Sequence, residues 1–76
     1  MRPYLNLSGD SDITDYKIGE GYIDVKFKSS STIYYYSNSK TGELHVDVMK
    51  ILAVSGQGLC TYINENPLVK NNYGKR

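Results

Sequence analysis

The hydrophobic period changes once along the chain, and the change falls at Ser37–Gly42, SNSKTG. Before it, apolar and polar residues alternate; after it, apolar residues recur every three to four positions. Alternation sends successive side chains to opposite faces of a strand, whereas three-to-four spacing gathers them on one face of a helix. A chain with one such switch is α+β, strands first and helices second.

Tyr22–Phe27, YIDVKF, is the clearest strand: Ile23, Val25 and Phe27 share one face, and Tyr22, Asp24 and Lys26 the other. Before it, Ile13 to Ile18 alternates imperfectly, with Ile13, Tyr16 and Ile18 as its candidates for burial, and Gly19-Glu20-Gly21 supplies a tight turn. Lys28-Ser29-Ser30-Ser31 leads into a third strand, Thr32 to Tyr36, rich in β-branched and aromatic residues. Beyond the switch, Leu44, Val48, Ile51 and Leu52 fall at i, i+4, i+7 and i+8, with Met49 and Ala53 flanking. That pattern predicts an amphipathic helix of about three turns, started by Thr41 or Gly42 and ended by the glycine of Ser55-Gly56-Gln57-Gly58. A second helix is expected from Leu59 to Asn64, stopped by Asn66-Pro67.

The expected architecture is therefore a three-stranded antiparallel β-meander followed by two short helices packed on one face, in the order βββαα. Ile23, Val25, Phe27, Ile33 or its alternates, Leu44, Val48, Leu52, Leu59 and Ile63 would fill the core. Residues 1–10 read as a flexible arm broken by Pro3 and Gly9, residues 11–69 as the single domain, and residues 70–76, KNNYGKR, as a frayed basic tail.

Seventy-six residues bury only about 60–65 % of the unfolded surface, leaving no room for a cofactor fold with its own catalytic cleft. One cysteine, Cys60, excludes an intramolecular disulfide, and with the lone His45 it falls short of the roughly four N/S ligands of a structural zinc site. No apolar run reaches the ~20 residues of a membrane span, and MRPYLNLSGDSD has no apolar signal core, so a cytoplasmic setting without membrane partners is expected. A net charge of +1 is not that of a general duplex-DNA binder.

Eight tyrosines beside one phenylalanine and no tryptophan are the unusual feature. Three stand in a row, Tyr34-Tyr35-Tyr36. Strand parity groups Tyr35 with Ile33, and Tyr34 with Tyr36; one set lies under the helices and the other is open. As an open pair, Tyr34 and Tyr36, with Tyr22, Lys26 and Lys28 on or beside the adjoining strand and Lys70 in the tail, would offer rings for base stacking and cations for phosphate. As a covered pair they finish a thin core. The Gly56-Gln57-Gly58 corner could present helix-start amides to an anion, or serve only as a left-handed cap. His45 and Cys60 have no nucleophile–base partner in sequence, and read as a surface residue and a small buried hydrophobe.

The motifs Ser11-Asp12-Ile13, Tyr34-Tyr35-Tyr36, and Ala53-Val54-Ser55-Gly56-Gln57-Gly58-Leu59 followed by Tyr62-Ile63-Asn64 resemble the KTSC domain, a short module at the C-terminus of some lysyl-tRNA synthetases that also occurs free-standing in bacteria. The resemblance runs from Ser11 to about Tyr73. SNSKTGEL stands where the family has a Val-Pro-like helix start, and Asn66 to Lys70 replaces its isoleucine–basic ending. The resemblance implies a binding module with RNA as the suggested ligand; together with the residues above, the expectation is a non-enzymatic module for single-stranded RNA or a nucleotide phosphate, without cofactor or metal. The alternative is a protein-interaction module: a homo-oligomer joined through a sheet edge, or a small inhibitor of a partner protein encoded on a phage or mobile element. Tyrosine suits such interfaces, and short chains often gain stability by association.

Overall fold

The computed structural model describes residues 1–76. The α+β class holds, with the sheet antiparallel throughout, but it has five strands in the spatial order of the sequence. They are β1 (Arg2–Pro3), β2 (Ile13–Gly19), β3 (Tyr22–Phe27), β4 (Ile33–Ser37) and β5 (Gly74–Lys75). Three helical segments, α1 (Glu43–Ser55), α2 (Leu59–Glu65) and α3 (Pro67–Lys70), lie between β4 and β5.

The three central strands are those expected, and a bulge explains the irregular one. In the β2–β3 ladder, Ile13 pairs with Phe27 and Asp15 with Lys26, so Thr14 is an extra residue. Inserting one residue reverses parity. Ile13 therefore shares a face with Tyr16 and Ile18 although their spacing is odd, and both Ile13 and Tyr16 are buried.

The outer strands correct the three-stranded expectation. Arg2 and Pro3 pair with Tyr16 and Asp15, while Lys75 and Gly74 pair with Tyr34 and Tyr35. Both termini thus join the sheet, one at each edge. The segment expected as a flexible arm also supplies Tyr4 to the core, and Tyr4 Oη accepts a hydrogen bond from the Leu59 amide at 3.3 Å. The expected frayed tail is held as well: the Thr41 hydroxyl donates to the Asn72 carbonyl, and the Arg76 amide donates to the Ile33 carbonyl at 2.8 Å. Two-residue strands have no alternation to detect, which is why they escape the sequence pattern.

The helices cover one sheet face, but α1 is rotated from its expected setting. Val46, Met49 and Ala53, at i, i+3 and i+7, point into the core with Ile23, Val25, Tyr36, Leu59, Ile63 and Val69. Leu52 packs partly against them. Leu44 and Val48, both expected in the core, face outward. Each fully buried aliphatic side chain contributes about 1.5–3 kcal/mol relative to exposure. Gly42, with no side-chain bond, occupies the helix start, since Thr41 is committed to the tail. Gly56 ends α1 at φ 79°, a left-handed conformation that glycine adopts without a Cβ penalty, and its amide donates to the Leu52 and Ala53 carbonyls. Pro67 opens α3 immediately after α2, where its fixed φ suits a first helical residue.

Candidate functional site

Cross-strand register decides the tyrosine question. Tyr36 pairs with Ile23 and Tyr34 with Val25, and directly paired residues share a face. Tyr34 and Tyr36 therefore stand on the helix-covered face, opposite Tyr22 and Lys26. The expected single surface of Tyr34, Tyr36, Tyr22, Lys26 and Lys28 is split across the sheet. Tyr36 is 2 % exposed and Tyr34 is half-buried. Tyr73 packs edge-on against both, with ring centroids 6.0 Å from Tyr36 and 5.0 Å from Tyr34, and Phe27 packs edge-on against Tyr34. Burial, with smaller contributions from the neighbouring phenols of Tyr73 and Tyr34 and from Cys60, raises the Tyr36 pKa well above the ordinary tyrosine range.

Lys70 does meet this pair. A shallow hollow of about 250 Å³ between the β3–β4 hairpin and the helices is lined by Tyr34, Tyr36, Phe27, Ile63, Asn64, Lys70 and two serines. The rings reach it edge to edge within their own cluster, which is a packing arrangement rather than a row of open faces. Lys28 is exposed at the end of the hairpin, outside the hollow, and its amide donates to the Asp12 carbonyl.

The uncovered face carries a different aromatic group. Tyr22 lies over Gly19, where an added Cβ would come within 2.1 Å of its ring, and Tyr35 lies over Gly74 at the same distance. The glycines let both rings lie flat on the strands. Arg76 sits above them, its guanidinium carbon 4.5 Å from the Tyr35 ring centre and 5.4 Å from that of Tyr22. Its Nε donates to Asp24 Oδ1 at 3.1 Å. Each ring thus has a glycine beneath it and an arginine above it. Sequence reasoning missed this group because Arg76 is 52 residues from Asp24 and reaches it only through β5.

At the Ser55–Gly58 corner the amide of Leu59 is given to Tyr4, whose own pKa is raised, chiefly by burial. The adjoining hollow of about 200 Å³ includes Asp10, Gly58 and Cys60 in its wall. A carboxylate there opposes a bound anion, and the Gly56 carbonyl accepts the Leu7 amide, so the arm fills the corner the anion would need. His45 Nδ1 lies 2.7 Å from Tyr62 Oη, tying α1 to α2. No group of three or more His, Cys, Asp or Glu is arranged to hold a metal ion, and no helix is long and apolar enough to cross a membrane.

The outer face of α1 carries a run of exposed apolar residues. Leu44 is 81 % exposed, Ile51 68 % and Val54 63 %, with Val48 beside them. At about 100° per residue, Leu44, Val48 and Ile51 fall within a sector of about 60°, opposite the buried Val46–Met49–Ala53 stripe. The apolar surface continues past Val54 to Met1 and Ile18, which line a groove of about 510 Å³ with Arg2, Tyr16 and Lys17. The sequence signal was present: α1 has two apolar stripes, and a helix packed on one side can bury only one. No family model, no curated protein and no solved structure matches the chain.

Proposed function

We propose that the chain is a non-enzymatic protein-interaction module whose partner covers the outer face of α1. The observation that carries this reading is the stripe Leu44–Val48–Ile51–Val54, which leaves three of its four residues more than 60 % exposed along one helix. Contiguous apolar patches of this kind, rimmed by polar residues, mark interaction surfaces; here the rim is Glu43, Asp47 and Lys50. Covering each such side chain contributes about 1.5–3 kcal/mol before the cost of association. The test is a photo-crosslinking residue in place of Val48, introduced in cells. A covalent adduct from Val48, and none from the same probe at Lys26 on the opposite sheet face, is the expected result; no adduct from Val48 would remove the proposal.

A second reading concerns the open sheet face. In the Tyr22–Arg76–Tyr35 stack, flanked by Lys17 and Lys26, both ring faces are covered. The outer plane of the Arg76 guanidinium is therefore the surface a single-stranded RNA base would stack on, with the lysines near its phosphates. It takes over the role first expected of Tyr34 and Tyr36. Asp15 and Asp24 share the face and weaken its field. Chemical-shift perturbation by a short single-stranded RNA at low salt, confined to these residues and lost in Tyr35→Ala, is the expected outcome; unchanged spectra refute it.

A further inference from the structure

We infer that the partner on the outer face of α1 is a second copy of this chain, the two α1 helices packing antiparallel about a two-fold axis between Val48 and Ile51. This rests on the reading of that face as an interaction surface and names its occupant. Leu44, Val48, Ile51 and Ser55 follow the 4-3-4 spacing by which two helices interlock. Across a two-fold axis the same patch meets itself, residue i touching residue j and j touching i. Centred as stated, Val48 meets the second copy's Ile51, and Leu44 lies across from the second copy's Ser55.

Shape favours this arrangement. From Leu44 to Ser55 the helix runs about 16 Å. An antiparallel copy therefore delivers its Leu44, the most exposed apolar residue of the stripe, to the C-terminal end of α1. There the groove of about 510 Å³ opens between Val54, Ile18 and Met1. One surface carries both the knob and the hollow, and the two-fold operation uses each twice.

Charge favours it as well. Glu43 and Asp47 occupy the N-terminal half of the outer face, whereas Arg2 and Lys17 line the groove at the other end. Antiparallel packing sets Glu43 of each copy toward Arg2 of the other, which shares the helix-covered face with Tyr16, and Asp47 toward Lys50. A parallel pairing would place like charges side by side. The two-residue β1 leaves only a short sheet edge beside the groove, so the contact depends on side chains rather than on strand addition.

The experiment is sedimentation velocity from micromolar to millimolar concentration on the full chain, with circular dichroism confirming the fold of each variant. The wild type should show a reversible monomer–dimer equilibrium. Ile51→Lys should weaken it by at least about tenfold, as expected for loss of a central apolar anchor. Glu43→Arg and Arg2→Glu should each weaken it, and the double variant should recover most of the loss, which only reciprocal contact between copies can produce. A strict monomer at millimolar concentration overturns the inference, as does a dimer insensitive to Ile51→Lys. The Val48 crosslink separates the two levels of the argument. An adduct at twice the chain mass supports the second copy. An adduct of another mass overturns it and leaves the interaction face standing, and no adduct overturns both.

Discussion

Tyr36 provides the sharpest test of whether the tyrosine run is a packing element. The residue is 2 % exposed, and its hydroxyl reaches the rim rather than standing buried without a partner. Truncation to alanine removes a buried aromatic ring from the centre of the core, and such changes cost about 3–5 kcal/mol. A chain of 76 residues has a total stability of about 4–11 kcal/mol. Tyr36→Ala should therefore lower the urea midpoint by about 3–5 M for a slope near 1 kcal/mol per molar, leaving much of the protein unfolded in buffer. Tyr36→Phe keeps the ring and removes only a hydroxyl at the rim, so it should stay within about 1 kcal/mol of wild type at pH 7. The alkaline limb separates the two residues further. The Tyr36 pKa is raised in the folded state, so above the unfolded value near 10 the unfolded chain loses this proton while the folded chain keeps it. The unfolded state then binds fewer protons and stability falls as pH rises, by up to about 1.4 kcal/mol per pH unit from this residue. The contribution is intact below about pH 10 and is lost as pH climbs through the folded pKa. Tyr36→Phe should remove that increment from the slope. Urea titrations followed by far-ultraviolet circular dichroism at pH 7 and at several alkaline values measure both effects. A tolerated Tyr36→Ala, or a Tyr36→Phe loss above about 2 kcal/mol, would refute the packing argument.

Three further outcomes follow from other contacts. Arg76→Ala should cost about 1–2 kcal/mol, because Arg76 is half-exposed but its loss leaves the buried Asp24 without its ion-pair partner; a thermal melt unchanged within error would contradict this. At concentrations where the chain is monomeric, Ile51→Lys should leave the urea midpoint near wild type, since the side chain is 68 % exposed; a loss above about 1 kcal/mol in the monomer would show that α1 packs the other way round. Removing residues 1–4 should destabilise by about 2–4 kcal/mol, through exposure of the apolar surface Tyr4 covers and loss of the partner of the Leu59 amide. Hydrogen exchange at Leu59 should accelerate in the truncated chain, and unchanged protection would count against the arm as part of the core.

The candidate surfaces were legible to different depths. Parity alone separated Tyr35 from Tyr34 and Tyr36 and grouped Ile23, Val25 and Phe27. It said nothing about which tyrosine set joined that group, because parity within a strand carries no information about its neighbour. The β3–β4 register supplied that, pairing Tyr36 with Ile23 and moving the YxY motif beneath the helices. In α1 the error ran the other way. Leu44, Val48, Ile51 and Leu52 were read correctly as helical, and Leu44, Val48 and Leu52 were assigned to the core, yet Val46–Met49–Ala53 is the stripe that fits against the sheet, with only Leu52 packed partly beside it. Two apolar stripes of similar strength give no preferred face until the sheet is in place, and the stripe left outside became the candidate interface.

What the sequence by itself determined is local: the period change at Ser37–Gly42, the β2–β3 turn, the three central strands, the Gly56 cap and the break at Asn66-Pro67 all follow from backbone preferences of neighbouring residues. Tertiary structure alone decided the outer strands, the rotation of α1, the side of the sheet each tyrosine occupies, and the meeting of Arg76 with Asp24, Tyr22 and Tyr35. These are contacts between segments far apart in the chain. Their free energy comes from surface buried between elements, so no window of neighbouring residues contains it.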